Sequence, residues 1–113
     1  LQQYSDFNVV FAINDGSCQG AIASMQAANR LDGVQTYAVD GQQQMADYIL
    51  EGLHTAEAAQ NPYAMGYLGV EAVCNLLDGQ TYRTAELLDT ATRTVTKETM
   101  FTIENQKALF SFG

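Results

Sequence analysis

At 113 residues, with 47% hydrophobic side chains, six Tyr and five Phe, the chain is large enough for one globular core and has no apolar run long enough to span a bilayer. Its net charge of −8, from 13 acidic and five basic residues, argues against nucleic acid, anionic membrane surfaces and phosphate-rich ligands as partners. It suits a neutral or cationic small ligand, or none.

The first apolar run, residues 9–13, reads as a strand buried on both faces, as in a parallel sheet. Asn14, Asp15 and Gly16 follow, and then a helical pattern over 17–28, with Cys18, Ile22 and Met25 on one stripe. Asp15 and Ser17 are the candidates for capping this helix. Asn14 suits either a turn or a ligand contact, because polar residues at the carboxyl end of a buried strand lie where open α/β sheets bind ligands. A second strand spans 34–39 and ends in Asp40-Gly41. A short helix follows over 42–51, striped by Met45, Tyr48 and Ile49 and stopped by Gly52.

Residues 54–59 prefer helix by their alanine content, but they lie between the Gly52 stop and a new helix start, and are read as a third strand. Asn61-Pro62 is that start, an N-cap with proline at the first helical position. The helix runs to Leu77, with Tyr63, Tyr67, Val70, Cys74 and Leu77 along one apolar face. Residues 80–86 read as a loop, and 87–89 and 92–96 as extended. The tail, 100–113, holds Met100, Phe101, Ile103, Leu109, Phe110 and Phe112, too much apolar surface for a free end. It is expected to dock on the body or on a partner chain. The alternation of strands and helices predicts an α/β fold, a parallel sheet flanked by helices and joined by right-handed crossovers.

Three strand ends then share one rim, carrying Asn14, Asp40 and Gln60. None is catalytic by type, and all three suit hydrogen bonds to hydroxyls: a carboxylate accepts from two vicinal hydroxyls, and an amide both donates and accepts. Cys18 and Cys74 each fall on a predicted helix among apolar neighbours and read as buried free thiols. His54 is the only histidine, so a four-ligand zinc site is not expected. Asp15, Asp40 and Glu57 with His54 could in principle supply acid–base groups. However, no nucleophile–base motif is present, residues 16–20 lack a dinucleotide or phosphate-loop pattern, and His54 starts its strand away from the rim. The expectation is a protein that is not an enzyme and needs no cofactor.

The ordered segments FAINDGSCQGAIASMQAA, TYAVDG, ILEGLHTAEAAQNPYAMGYLGVEAV and VTKETM closely resemble the carboxyl-terminal part of periplasmic sugar-binding proteins of the ribose-binding type, over most of residues 8–100. The resemblance implies a three-layer, flavodoxin-like (type I periplasmic binding protein) fold, present in part. It also implies a sugar or polyol ligand, delivery to an ABC transporter permease, and a periplasmic or extracellular location. By motif it implies sugar contacts from Asn14, Asp40 and Gln60. The family's aromatic before the strand-end aspartate is here Val39, a departure that leaves the identity of the sugar open.

The resemblance further implies two lobes. Residues 1–59 would belong to the carboxyl-terminal lobe, 60–91 to the amino-terminal lobe, and 92–113 to a crossing back and a tail. The chain, which begins at Leu1, is read as part of a longer protein. The helix from Pro62 to Leu77 would then lack the sheet it normally covers. It is expected either to fold back on the other strands or to pair with a second chain as a homo-oligomer. Such a fragment is expected to bind weakly or not at all alone. Transcription repressors of the lactose-repressor type share the asparagine–aspartate and aspartate–glycine features and are the alternative.

Overall fold

The structure, a computed structural model, describes residues 3, 4, 6–80 and 92–109. The elements run β1 (Val9–Phe11), α1 (Asp15–Ala27), β2 (Gln35–Asp40), α2 (Gln43–Glu51), β3 (Ala56–Ala59), α3 (Pro62–Leu77), β4 (Arg93–Thr96) and α4 (Ile103–Leu109). The expected loop at 81–86, the extended 87–89, and Phe110 and Phe112 lie outside the described residues.

The four strands form one sheet in the order β1-β2-β3-β4. β1, β2 and β3 are parallel, with Phe11 beside Tyr37 and Asp40 beside Ala59. β4 departs from the expected all-parallel sheet: it runs antiparallel to β3, with Val95 beside Glu57. The chain leaves the sheet through α3 and comes back along the β3 edge in the opposite direction.

The helices α1, α2 and α4 cover one face. Cys18, Ile22 and Met25 of α1 pack with Ala12, Ala38 and Met45. Ala46 and Ile49 of α2 pack with Ala59, Val95, Met100 and Leu109. The tail therefore docks on the body, as expected, through Met100 and Leu109, while Phe101 and Ile103 stay exposed. The α2 stripe is Met45, Ala46 and Ile49, with Tyr48 only half-buried. Gly52 ends α2 in the left-handed conformation its sequence position suggested.

The opposite face carries no helix among the described residues. Phe11, Tyr37, Ala58 and Thr94 line a shallow groove there. This corrects the expectation for the first strand. It is not buried on both faces: β1 is an edge strand, and Phe11 and Ile13 are 71% and 79% exposed. A solid apolar run predicts two-sided burial only when both covering layers are present, and here one layer is.

The α3 helix forms where its cap and proline predicted, with Asn61 Oδ1 accepting from the Ala64 N–H at 3.0 Å. None of its residues is buried. It does not fold back onto the strands, and Tyr63, Tyr67, Val70 and Leu77 are exposed. Both cysteines are free, but only Cys18 is buried. Cys74, on the open face of α3, is exposed, which corrects its expected burial.

Candidate ligand-binding rim

The carboxyl ends of β1, β2 and β3 meet at one edge of the sheet, and the three expected contact residues lie there. Asn14 follows β1 in extended conformation and is the N-cap of α1: its Oδ1 accepts from the Ser17 N–H at 2.9 Å and also contacts the Ser17 hydroxyl. The side-chain oxygen is thus committed to the helix, while the Nδ2 amide, exposed at the rim, forms no hydrogen bond among the described residues. Capping was expected of Asp15 or Ser17, and Asn14 performs it instead.

Asp40 ends β2 with φ 140°, a conformation that residues other than glycine rarely adopt. Such positions cost on the order of 1–3 kcal/mol and cluster at ligand sites. Its Oδ1 accepts from Gln60 Nε2 at 2.7 Å, and its backbone oxygen accepts from the Gln60 N–H at 3.0 Å. Its Oδ2 lies 3.5 Å from the Asp15 backbone nitrogen, a long contact. The Asp40 carboxylate therefore stands between the ends of β1 and β3. Two protein donors use part of its acceptor capacity and leave lone pairs for a ligand. Gln60 spends its Nε2 on Asp40, which leaves its Oε1 to accept.

The turn after Asp40 has no room for a side chain. Gly41 has φ 94°, and a Cβ there would stand 2.8 Å from the Ala59 Cβ and 3.1 Å from the Ala59 Cα. Gly41→Ala is expected to destabilise the fold by about 2 kcal/mol or more, from strain and backbone displacement together. Denaturant unfolding of the variant checks this, and unchanged stability would mean the turn is looser than its contacts indicate.

Beneath the rim lies a buried polar group that residue spacing did not reveal. Asp15 is fully buried. Its Oδ2 accepts from the Gly41 N–H at 3.1 Å and the Gln42 N–H at 2.7 Å, so it serves the amino end of α2 rather than its own helix. Glu57, on β3, is 2% exposed, and its Oε2 accepts from His54 Nε2 at 2.9 Å. His54 Nδ1 in turn lies 2.7 Å from the Thr36 hydroxyl and 3.8 Å from Cys18 Sγ. His54 precedes β3 and does not begin it, and it is chained through Glu57 to Asp15. Burial, with the adjoining Glu57 carboxyl, pushes Asp15 up to about 7. Burial also raises Glu57, lowers His54, and pushes the Cys18 thiol up to about 11. The signal in the sequence was the lone Glu57 among the alanines of AEAA, a charge on a strand short enough to be wholly buried. Among the described residues, no group of three or more His, Cys, Asp or Glu side chains is arranged to hold a metal ion.

The family model described as a periplasmic binding protein domain matches residues 1–81. The chain belongs to the periplasmic binding protein family. Its fold is that of the type I members, present in part. No curated protein sequence matches it. Among solved structures, an ABC transporter solute-binding protein from Agrobacterium vitis with bound α-D-tagatopyranose superposes with a TM-score of 0.84 at 25% identity, over 93% of this chain and 35% of that one. A second from Agrobacterium vitis, with bound D-fucose, gives 0.82 at 24% identity, over 93% of this chain and 36% of that one. A carbohydrate transporter solute-binding protein from Agrobacterium radiobacter, in complex with D-arabinose, gives 0.79 at 24% identity, over 90% and 34%. The chain thus spans about a third of the length of these family members.

Proposed function

We propose that this chain is the sugar-contacting part of a solute receptor for an ABC importer, with a monosaccharide or polyol as its ligand. The observation that carries the reading is the joined Asp40–Gln60 pair at the rim, 2.7 Å apart, with Asn14 at the neighbouring strand end. Asp40 accepts from two hydroxyls, Gln60 Oε1 accepts from a third, and Asn14 Nδ2 donates. The sugars named with the solved family members support the ligand class. The receptor works outside the cytoplasm and hands its ligand to a permease. It performs no chemistry on the sugar.

The lobe assignment belongs to the same reading. Residues 1–59 contribute to one lobe, 60–91 to the other, and 92–113 cross back. The buried inner faces of α1 and α2, against no buried residue in α3, support a division near Gln60. One lobe's rim alone encloses a ligand on one side, so tight binding belongs to the full-length protein.

Calorimetry of the full-length protein with D-fucose, D-arabinose, D-tagatose and a set of inositols tests this. At least one is expected to bind, and Gln60→Ala is expected to weaken it about tenfold, the effect of one lost hydrogen bond together with a loosened Asp40. If none of the panel binds, or if Gln60→Ala leaves the affinity unchanged, the reading is wrong.

A further inference from the structure

We propose that Glu57 is a positioning residue for Asp40: it shares one proton with Asp15, and through Asp15 it holds the turn that carries Asp40 at the rim. The role at Asp40 rests on the binding function proposed above.

The geometry requires a hydrogen that ionised carboxylates lack. Asp15 and Glu57 are both buried and are in side-chain contact. Counted as ionised groups, Asp15 Oδ1 and Glu57 Oε1 have no hydrogen-bond partner among the described residues. Every other oxygen of the pair is satisfied, Asp15 Oδ2 by two backbone N–H groups and Glu57 Oε2 by His54. Two unpartnered acceptors on neighbouring buried carboxyls are satisfied together by a single proton between them. With that proton in place the whole chain of bonds closes. The Asp15 carboxyl donates to Glu57, neutral His54 donates from Nε2 to Glu57, and the Thr36 hydroxyl donates to His54 Nδ1.

The groups facing the pair favour keeping the proton. Asp40 adds negative charge from β2, His54 is held neutral by burial, and Cys18 of α1 stays a thiol. The buried side chains of α2 are the apolar Met45, Ala46 and Ile49. With no cation among the described residues acting on the pair, loss of the proton sets two buried carboxylates against each other. Asp15 is fastened to Gly41 and Gln42, and the Gly41 N–H also acts on Glu57. Any separation of the pair therefore moves the turn adjoining Asp40.

The test is isotope-edited NMR of the full-length protein between about pH 5 and about pH 9, with calorimetry alongside. The Gly41 and Gln42 amide signals are expected to pass through one transition centred near pH 7. In Glu57→Gln and in Asp15→Asn the transition is absent, because a side-chain amide supplies the shared hydrogen at every pH. With whichever of D-fucose, D-arabinose and D-tagatose binds most tightly, wild-type affinity falls about fivefold or more across the same interval, and the Glu57→Gln profile is flat. A wild type with no transition at Gly41 and Gln42, or a transition that survives both substitutions, overturns the shared proton. A sugar that binds with a flat wild-type profile overturns the positioning role while leaving the binding function intact. If the transition behaves as expected but no sugar binds, the shared proton is supported, and the binding function, with the role at Asp40, is overturned.

Discussion

Asp40→Ala in the full-length protein is expected to lower sugar affinity by about two orders of magnitude or more, the loss of two charge-assisted hydrogen bonds at roughly 1.5–3 kcal/mol each. The carboxylate is held from both sides by Gln60 Nε2 and the Asp15 backbone. A group so held loses little freedom when a ligand arrives, so most of the bond strength appears as affinity. A companion variant separates binding from folding. Asp40 has φ 140°, which suits glycine. In Asp40→Gly, relief of about 1–3 kcal/mol of strain offsets the lost Gln60 bond and the greater freedom of the unfolded chain. Asp40→Gly is therefore expected to keep or raise the melting temperature while binding as poorly as Asp40→Ala. If Asp40→Ala binds sugar like the wild type, the site is misplaced. If Asp40→Gly melts well below the wild type, the lost affinity is a folding effect.

The second large effect concerns α3. Tyr63, Tyr67, Val70, Val73, Leu76 and Leu77 are all exposed along one helix, Val70 by 66%. A patch of that size is normally covered. Covering it contributes roughly 1.5–3 kcal/mol for each large side chain. The 113-residue chain in isolation is expected to self-associate and to bind a hydrophobic dye. The double substitution Tyr67→Glu with Val70→Glu is expected to suppress both without lowering its stability. If α3 lies inside the other lobe of the full-length protein, as proposed, the same pair is expected to destabilise it by about 3 kcal/mol or more through buried charge. Light scattering and denaturant unfolding read the two arms. A monomeric, dye-free wild-type chain contradicts the first, and an indifferent full-length variant contradicts the second.

The pH dependence of stability follows from Asp15. A buried carboxyl whose proton is held more tightly in the folded state, up to about 7 against the ordinary 3.8, contributes stability at low pH that is lost as the pH rises from one value to the other. Glu57→Gln removes the opposing charge, and above about pH 7 it is expected to melt higher than the wild type.

Local chemistry made much of this protein legible in its sequence. Val34 to Val39 and Asn61-Pro62 announce a strand and a helix start, because backbone preference and capping act over a few residues. Asn14, Asp40 and Gln60 could be named because a strand's carboxyl end follows directly from the strand. The same spacing misassigned the cap, since Asn14 and Asp15 are adjacent and both suit it, and only the position of the Gly41 and Gln42 backbone turns Asp15 from α1 to α2. The direction of β4, the exposure of Cys74 and the uncovered face of β1 also lay beyond periodicity. Each depends on which layers are present, and a pattern of apolar residues records that a face is to be covered without recording what covers it. The sequence by itself determined the elements from β1 to β4, their order and the polar residues at the strand ends, but not the helix α4 in the tail. Tertiary structure alone decided the Asp15–Glu57–His54 network, because Asp15 and Glu57 are far apart in the chain and acquire their shared environment only when β3 lies beneath the end of α1.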